Sequence, residues 1–204
     1  MVAVIDYDAG NIRSVEKAVS ALGGQAVVTR NPKEILSADH VILPGVGAFG
    51  DAMEKLHKYE LAEVIREVTE RKTPFLGICL GLQLLFESSE ESEGVEGLGI
   101  LSGKIVRIPE SRDLKIPHIG WNALSYPNRG RLFQGIPEQS YVYFVHSYYL
   151  QAKDTGLVKA MTNYGALIHA SVEKDNLFAC QFHPEKSSET GMRILKNFLD
   201  VQAE

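Results

Sequence analysis

Apolar residues recur along the first half of the chain in two alternating patterns. Val2 to Ile5 is a short continuous apolar run of strand type, and from Asn11 onward Ile12, Val15, Val19 and Leu22 fall at helical spacing until Gly23-Gly24 stops the helix. Gln25 to Thr29 and His40 to Leu43 read as two further strands, and Leu61, Val64, Ile65 and Val68 follow the i, i+3, i+4, i+7 stripe of an amphipathic helix. Pro74 to Ile78 is a fourth apolar run, followed directly by a helix-like opening from Leu80 to Phe86. Strands that are apolar on nearly every position and alternate with helices predict a parallel sheet covered on both faces.

The rhythm changes after about residue 98. Lys104 to Ile108, Trp121 to Tyr126, Tyr141 to Leu150, Leu157 to Asn163 and Leu167 to Glu173 are closely spaced strand candidates, some separated by turn-rich segments such as Tyr126-Pro127-Asn128-Arg129-Gly130. A final helix is expected over Ser188 to Val201, with Met192, Leu195, Phe198 and Leu199 on one face. The predicted fold class is therefore α/β, a mostly parallel central sheet with helices on both faces and an antiparallel extension in the C-terminal half. With no linker-like stretch, repeat or low-complexity segment, residues 1–204 are expected to form one domain.

Composition narrows the function classes. A net charge of −5 argues against a nucleic-acid backbone as partner. No apolar run reaches membrane-span length, and Met1 to Asp6 lacks the basic and long apolar regions of a signal peptide. Cys79 and Cys180 make neither a disulfide framework nor a metal-ligand cluster, so no metal or cofactor is expected and a reducing cytoplasmic setting fits best.

The chemistry concentrates at Gly77-Ile78-Cys79-Leu80-Gly81, between a strand and a helix. This is the pattern of a nucleophile elbow with cysteine in place of serine, because a strand-to-helix turn that tight leaves room only for small residues two positions either side of the nucleophile. A helix N-terminus there would favour the thiolate; the same glycines also suit a buried structural cysteine. Gln181-Phe182-His183-Pro184-Glu185 offers the missing parts of a triad, since in an extended segment Glu185 would lie on the same side as His183 and orient its imidazole. Pro44-Gly45-Val46-Gly47 follows the third strand, where freed backbone N–H groups could join that of Leu80 in an oxyanion hole; a plain turn or a phosphate cradle also fits, although the Lys-Ser/Thr ending of a P-loop is missing.

Taken together, Gly77 to Gln83 and His183-Pro184-Glu185 resemble the class I (triad) glutamine amidotransferases. Asp6 to Asn11, Pro44 to Phe49, His118-Ile119-Gly120-Trp121-Asn122, Tyr143 to Tyr148 and Gln181 to Ser187 are similar to the glutaminase subunits of imidazole glycerol phosphate synthase, and the resemblance spans essentially the whole chain. It implies that Cys79 attacks the carboxamide of L-glutamine, with His183 as general base and then acid, Glu185 as its orienting carboxylate, and backbone amides of Leu80 and Val46 or Gly47 as oxyanion donors. It places Gln83, Glu91, Ser147 and Tyr148 around glutamine, and Asn11, Trp121 and Lys186 at a heterodimer interface with a (β/α)8-barrel cyclase subunit that receives the ammonia. Trp121 and Tyr148 equally suit core packing, and Glu91 lies in an acidic, hydroxyl-rich stretch that suits a solvated loop. The competing readings are the amidotransferase subunit of anthranilate or pyridoxal phosphate synthesis, a silent scaffold of the same fold, and a peptidase without an ammonia acceptor. The Gly-Trp-Asn segment, the Asp-Tyr-Asp-Ala-Gly-Asn start and the intact Cys79, His183 and Glu185 argue against the first two.

Overall fold

The structure is a computed structural model that describes residues 1–112 and 114–202. Its strands are β1 (Val2–Ile5), β2 (Ala26–Thr29), β3 (His40–Leu43), β4 (Phe75–Ile78), β5 (Ser88–Ser89), β6 (Gly103–Arg107), β7 (His118–Ala123), β8 (Tyr141–His146), β9 (Tyr148–Ala152), β10 (Val158–Asn163), β11 (Leu167–Lys174) and β12 (Leu177–Cys180). The helices are α1 (Ile12–Ala21), α2 (Pro32–Leu36), α3 (Phe49–Lys58), α4 (Leu61–Glu70), α5 (Leu80–Gln83) and α6 (Ser188–Leu199).

Seven strands form the central sheet in the order β10-β11-β12-β4-β3-β1-β2. Contacts from β2 through β12 are parallel, whereas β11 and β10 continue the sheet antiparallel, as the two rhythms of the sequence predict. Two smaller sheets, β5-β6-β9 and β7-β8, complete the C-terminal half. The expected strand over Tyr141 to Leu150 is broken at Ser147 into β8 and β9, and β7 lies a few residues earlier than the pattern suggests.

The short apolar strands feed two cores by strict alternation. Ala3 and Ile5 of β1, Val41 and Leu43 of β3, Phe75 of β4, and Leu177 and Ala179 of β12 point to the face covered by α2, α3 and α4. Their neighbours Val2, Val4, Ile42, Leu76, Ile78, Phe178 and Cys180 point to the other face, covered by α1 and α6. Side chains of successive strand residues project to opposite faces, so a strand covered on both sides has to be apolar throughout.

The elbow between β4 and α5 is a steric constraint. A Cβ at Gly81 would lie 1.9 Å from the Leu43 carbonyl oxygen, and one at Gly77 would lie 2.6 Å from that of Gly81. Both approaches are backbone on backbone, which no rotamer change can relieve. The helix that follows is shorter than expected: α5 has 4 residues, after which Leu85 and Phe86 bond to carbonyls three residues back. So short a helix carries little macrodipole to act on Cys79. We expect Gly81→Ala to destabilise the fold by about 3 kcal/mol through overpacking. Gly99→Ala, at φ +62° with open space around it, should cost only about 1–2 kcal/mol of backbone strain. Denaturant unfolding of the two variants checks this ordering.

Candidate active site

Cys79 occupies the elbow with φ +55° and ψ −108°, outside the regions an L residue prefers. Its N–H donates to the Cys180 carbonyl of the adjacent β12 at 2.8 Å, which fixes the turn against the sheet. The sulfur lies 3.9 Å from the Val145 carbonyl and receives the Gln181 Nε2–H group at 3.6 Å.

His183 emerges just past the carboxyl end of β12, so the parallel pairing of β12 with β4 brings it beside Cys79. The Pro184–Lys186 segment is a 3-10 turn and not the extended segment expected, yet the turn still sets Glu185 Oε1 2.7 Å from His183 Nδ1. Buried Ser187 fastens this turn: its hydroxyl donates to the His183 carbonyl at 2.6 Å and accepts the Tyr143 N–H of β8 at 2.9 Å. Asn11 donates its side-chain amide to the same Glu185 oxygen. That is why Asn11, at the N-cap of α1 with φ +70°, makes no capping bond with its own side chain. Burial alone would lower the His183 imidazole, but interaction with the Cys79 sulfur and then with Glu185 outweighs burial and pushes it up to about 10.

Above Cys79 lies a cavity of about 310 Å³. Val46, Gly47 and Leu80 line it together with Gln83, Glu91, Ser147 and Tyr148, so the chain brings all seven predicted oxyanion and substrate residues around the sulfur. The Leu80 N–H is not free: it donates to the Gly45 carbonyl at 3.3 Å. Gly47 has φ +105°, and the buried Tyr7 hydroxyl supports the loop by donating to Pro44 O at 2.9 Å. Gln83 Nε2 donates to the Tyr148 carbonyl at 3.1 Å and to Gln181 Oε1 at 2.9 Å. Glu91 Oε2 accepts the Phe49 N–H at 2.8 Å, capping the start of α3 from a distance and tying the loop after β3 to this side of the cavity.

Residues 3–201 match the family described as glutamine amidotransferase class-I. The chain belongs to the class I glutamine amidotransferases. This amidotransferase is 51% identical over 197 residues to the imidazole glycerol phosphate synthase subunit HisH of Moorella thermoacetica, covering 97% of this chain and 93% of that protein. It is 46% identical over 201 residues to the HisH subunit of Methanocaldococcus jannaschii, covering 98% and 100% of the two chains. In fold it is similar to a crystal structure described as a glutamine amidotransferase, with TM-score 0.76, 20% identity and 98% of each chain covered. A second structure of like fold is PurLQS from Thermotoga maritima, with TM-score 0.73, 21% identity and coverage of 98% and 97%.

The amidotransferase presents an apolar surface beside the turn that carries His183 and Glu185. Trp121 is 49% exposed, and Ile119 and Tyr141 stand out from the same β7-β8 pair at 59% and 58%. Trp121 packs edge-on to its register partner Tyr143, whose backbone carbonyl and N–H bond His183 and Ser187. Asn11, Trp121 and the exposed Lys186 are thus all attached to the turn that carries Glu185. Among the described residues there is no group of three or more side chains suited to a metal ion, and no helix is long and apolar enough to cross a membrane.

Sequence reasoning gave no role to Gln181, His118 or His146. His146 borders the cavity and bonds the Tyr148 carbonyl through Nδ1 at 2.8 Å, and its Nε2 meets His118 Nδ1 at 3.0 Å. His118 is sandwiched by Phe144 and Tyr164. Burial pushes His118 down to about 4 and His146 down to about 3. Both rings are neutral in the folded chain and gain protons first in the unfolded one. Their contribution to stability is therefore present above about pH 6.5 and lost as the pH falls towards 4. Chemical denaturation across this window should show stability falling with pH, with a shallower slope in His118→Gln.

Proposed function

We propose that this chain is the glutamine-hydrolysing subunit of an imidazole glycerol phosphate synthase, acting through Cys79, His183 and Glu185 as one amidotransferase unit over residues 1–204. The observation that carries the reading is the cavity over Cys79, with a hydrogen-bonded His183–Glu185 pair beside the sulfur. The identity to HisH subunits over nearly the whole chain supports the choice among amidotransferases.

With its proton transferred to His183 as general base, Cys79 Sγ attacks the carboxamide carbon of L-glutamine. The protonated His183 gives its proton to the departing ammonia, then takes one from water as the glutamyl thioester is hydrolysed to glutamate. Glu185 balances the imidazolium and fixes its Nδ1, which leaves Nε2 for this transfer. Glu91 and Gln83 line the cavity and would hold the α-ammonium, while Ser147 and Tyr148 line it from the β8-β9 junction. The ammonia passes to a (β/α)8-barrel cyclase subunit docked on the face around Asn11, Trp121 and Lys186. That partner converts N′-(5′-phosphoribulosyl)formimino-aminoimidazole carboxamide ribonucleotide to imidazole glycerol phosphate and an aminoimidazole carboxamide ribotide, a step of histidine biosynthesis in the cytoplasm.

The Gly45 carbonyl holds the Leu80 N–H and so fills the space an oxyanion would take. Turning the Gly45–Val46 peptide over replaces that carbonyl with the Val46 N–H and releases Leu80 at the same time. Flanking glycines make such a rotation inexpensive, and the partner's loaded state is proposed to drive it. One missing oxyanion donor typically costs on the order of 10²–10³ in rate. Glutamate release should accordingly rise at least about 100-fold when the cyclase subunit and its nucleotide are added, and vanish in Cys79→Ala. Full activity of the lone chain would overturn the control, and activity in Cys79→Ala would overturn the triad.

A further inference from the structure

Gln181 is fully buried, one strand-end residue from the triad, and neither the nucleophile nor its base requires an amide there. Its contact with sulfur has a direction that the surrounding hydrogen bonds determine. The Tyr148 carbonyl can only accept, so the Gln83 atom 3.1 Å from it is the amide nitrogen. That same nitrogen lies 2.9 Å from Gln181, which must therefore turn its oxygen toward Gln83. The remaining end of the Gln181 amide, 3.6 Å from Cys79 Sγ, is then the N–H end.

The other side of the Tyr148 carbonyl is equally determined. His146 must donate to it from Nδ1, which leaves its neutral Nε2 to accept from His118 Nδ1. His118 Nε2 in turn faces Asn122 Nδ2 at 3.4 Å, and Asn122 is oriented by donating to the Asn163 carbonyl at 3.1 Å and accepting the Ala123 N–H at 2.8 Å. Each amide and ring on the two sides of the Tyr148 carbonyl therefore has one allowed orientation, set by backbone groups that cannot rotate, and the bond that reaches Gln181 comes from Gln83.

We propose that Gln181 is a catalytic residue whose side-chain N–H is held on Cys79 Sγ by the Gln83 amide, itself fixed by the Tyr148 carbonyl, and stabilises the ionised sulfur before attack. The inference deepens the reading of Cys79 as nucleophile and rests on it. As a thiol, Cys79 points its proton to the Val145 carbonyl, a long contact of 3.9 Å. As a thiolate, the sulfur accepts the Gln181 N–H, a charge-assisted bond that the thiol form has in weaker measure. Gln83 and Tyr148 act through Gln181 as positioning residues, which adds to the part of Gln83 facing the substrate. Gln83 also lines the cavity; a cation bound to its Oε1 would polarise the Gln83 N–H groups and strengthen the bonds running toward sulfur.

Alkylation by iodoacetamide, followed by mass spectrometry at Cys79 across neutral and alkaline pH, tests this on the full chain. Gln181→Met and Gln181→Leu both remove the donor with different shapes, so a packing failure in one leaves the other to decide, with melting curves showing which is folded. The expected result is a profile displaced to higher pH, with alkylation at neutral pH slowed roughly 10- to 100-fold, the size of a lost hydrogen bond to a charge. In complex with the partner, kcat for glutamine should fall by a similar factor with KM little changed. A folded variant that alkylates with the parent's pH profile overturns the role of Gln181. Undiminished glutamine hydrolysis in Cys79→Ala would instead remove the nucleophile reading on which it stands.

Discussion

The backbone of Gly81 pressed against the Leu43 carbonyl is the constraint from which the site follows. Leu43 ends β3 and Gly81 lies in the first turn after β4, so the approach welds the carboxyl ends of two neighbouring parallel strands together. It holds Cys79 in its strained conformation and brings the Pro44–Gly47 loop, which continues from β3, over the sulfur. Neither feature would survive a larger residue at this spot, because the obstacle is main chain on both sides.

Around that weld, four parallel strands each deliver one part of the candidate site from the same end. β1 leads to Asn11, β3 to the loop of Gly45 and Gly47, β4 to Cys79 and β12 to Gln181 and His183. An open parallel sheet places its ligands beyond the carboxyl ends of its strands, and here every one of these loops is anchored by at least one bond to a neighbouring element. The antiparallel half supplies the opposite wall, where Val145, Ser147 and Tyr148 present backbone and side-chain groups to the cavity.

What the sequence discloses about this arrangement depends on whether the signal is local. The continuous apolar runs of β1, β3 and β4 and the helical stripe of α4 are local, and the elements lie within a residue or so of their expected places. The glycines of the elbow are legible for the same reason: their spacing around Cys79 is itself the steric requirement. α2 has an Asn31-Pro32 start with Asn31 Oδ1 accepting the Lys33 N–H, a local capping signal, although five residues are too few for an apolar stripe to mark the helix. α3 hides its apolar positions Phe49, Ala52, Met53 and Leu56 among charged residues, and its first N–H is satisfied from Glu91, far away in sequence. Cys79, His183 and Glu185 can be singled out from local motifs, but the 3-10 turn joining His183 to Glu185 cannot, since proline after the histidine suits an extended segment equally well. The ordering of Gln181, Gln83 and the two histidines is a property of contacts between β7, β8, α5 and β12, and no single segment contains it.

β12 is a strand of four residues inserted late between β4 and β11. During synthesis, β4 and its cysteine are made long before the strand that pairs with them. Until Leu177 to Cys180 is added, one edge of β4 offers unpaired main-chain groups, a surface that invites pairing with other chains. The same delay separates Cys79 from His183, which follows directly after the strand that closes the gap beside β4. The chain therefore assembles its candidate site in the same event that covers the open edge of β4, and a partly made copy holds Cys79 without the residues that surround it in the fold.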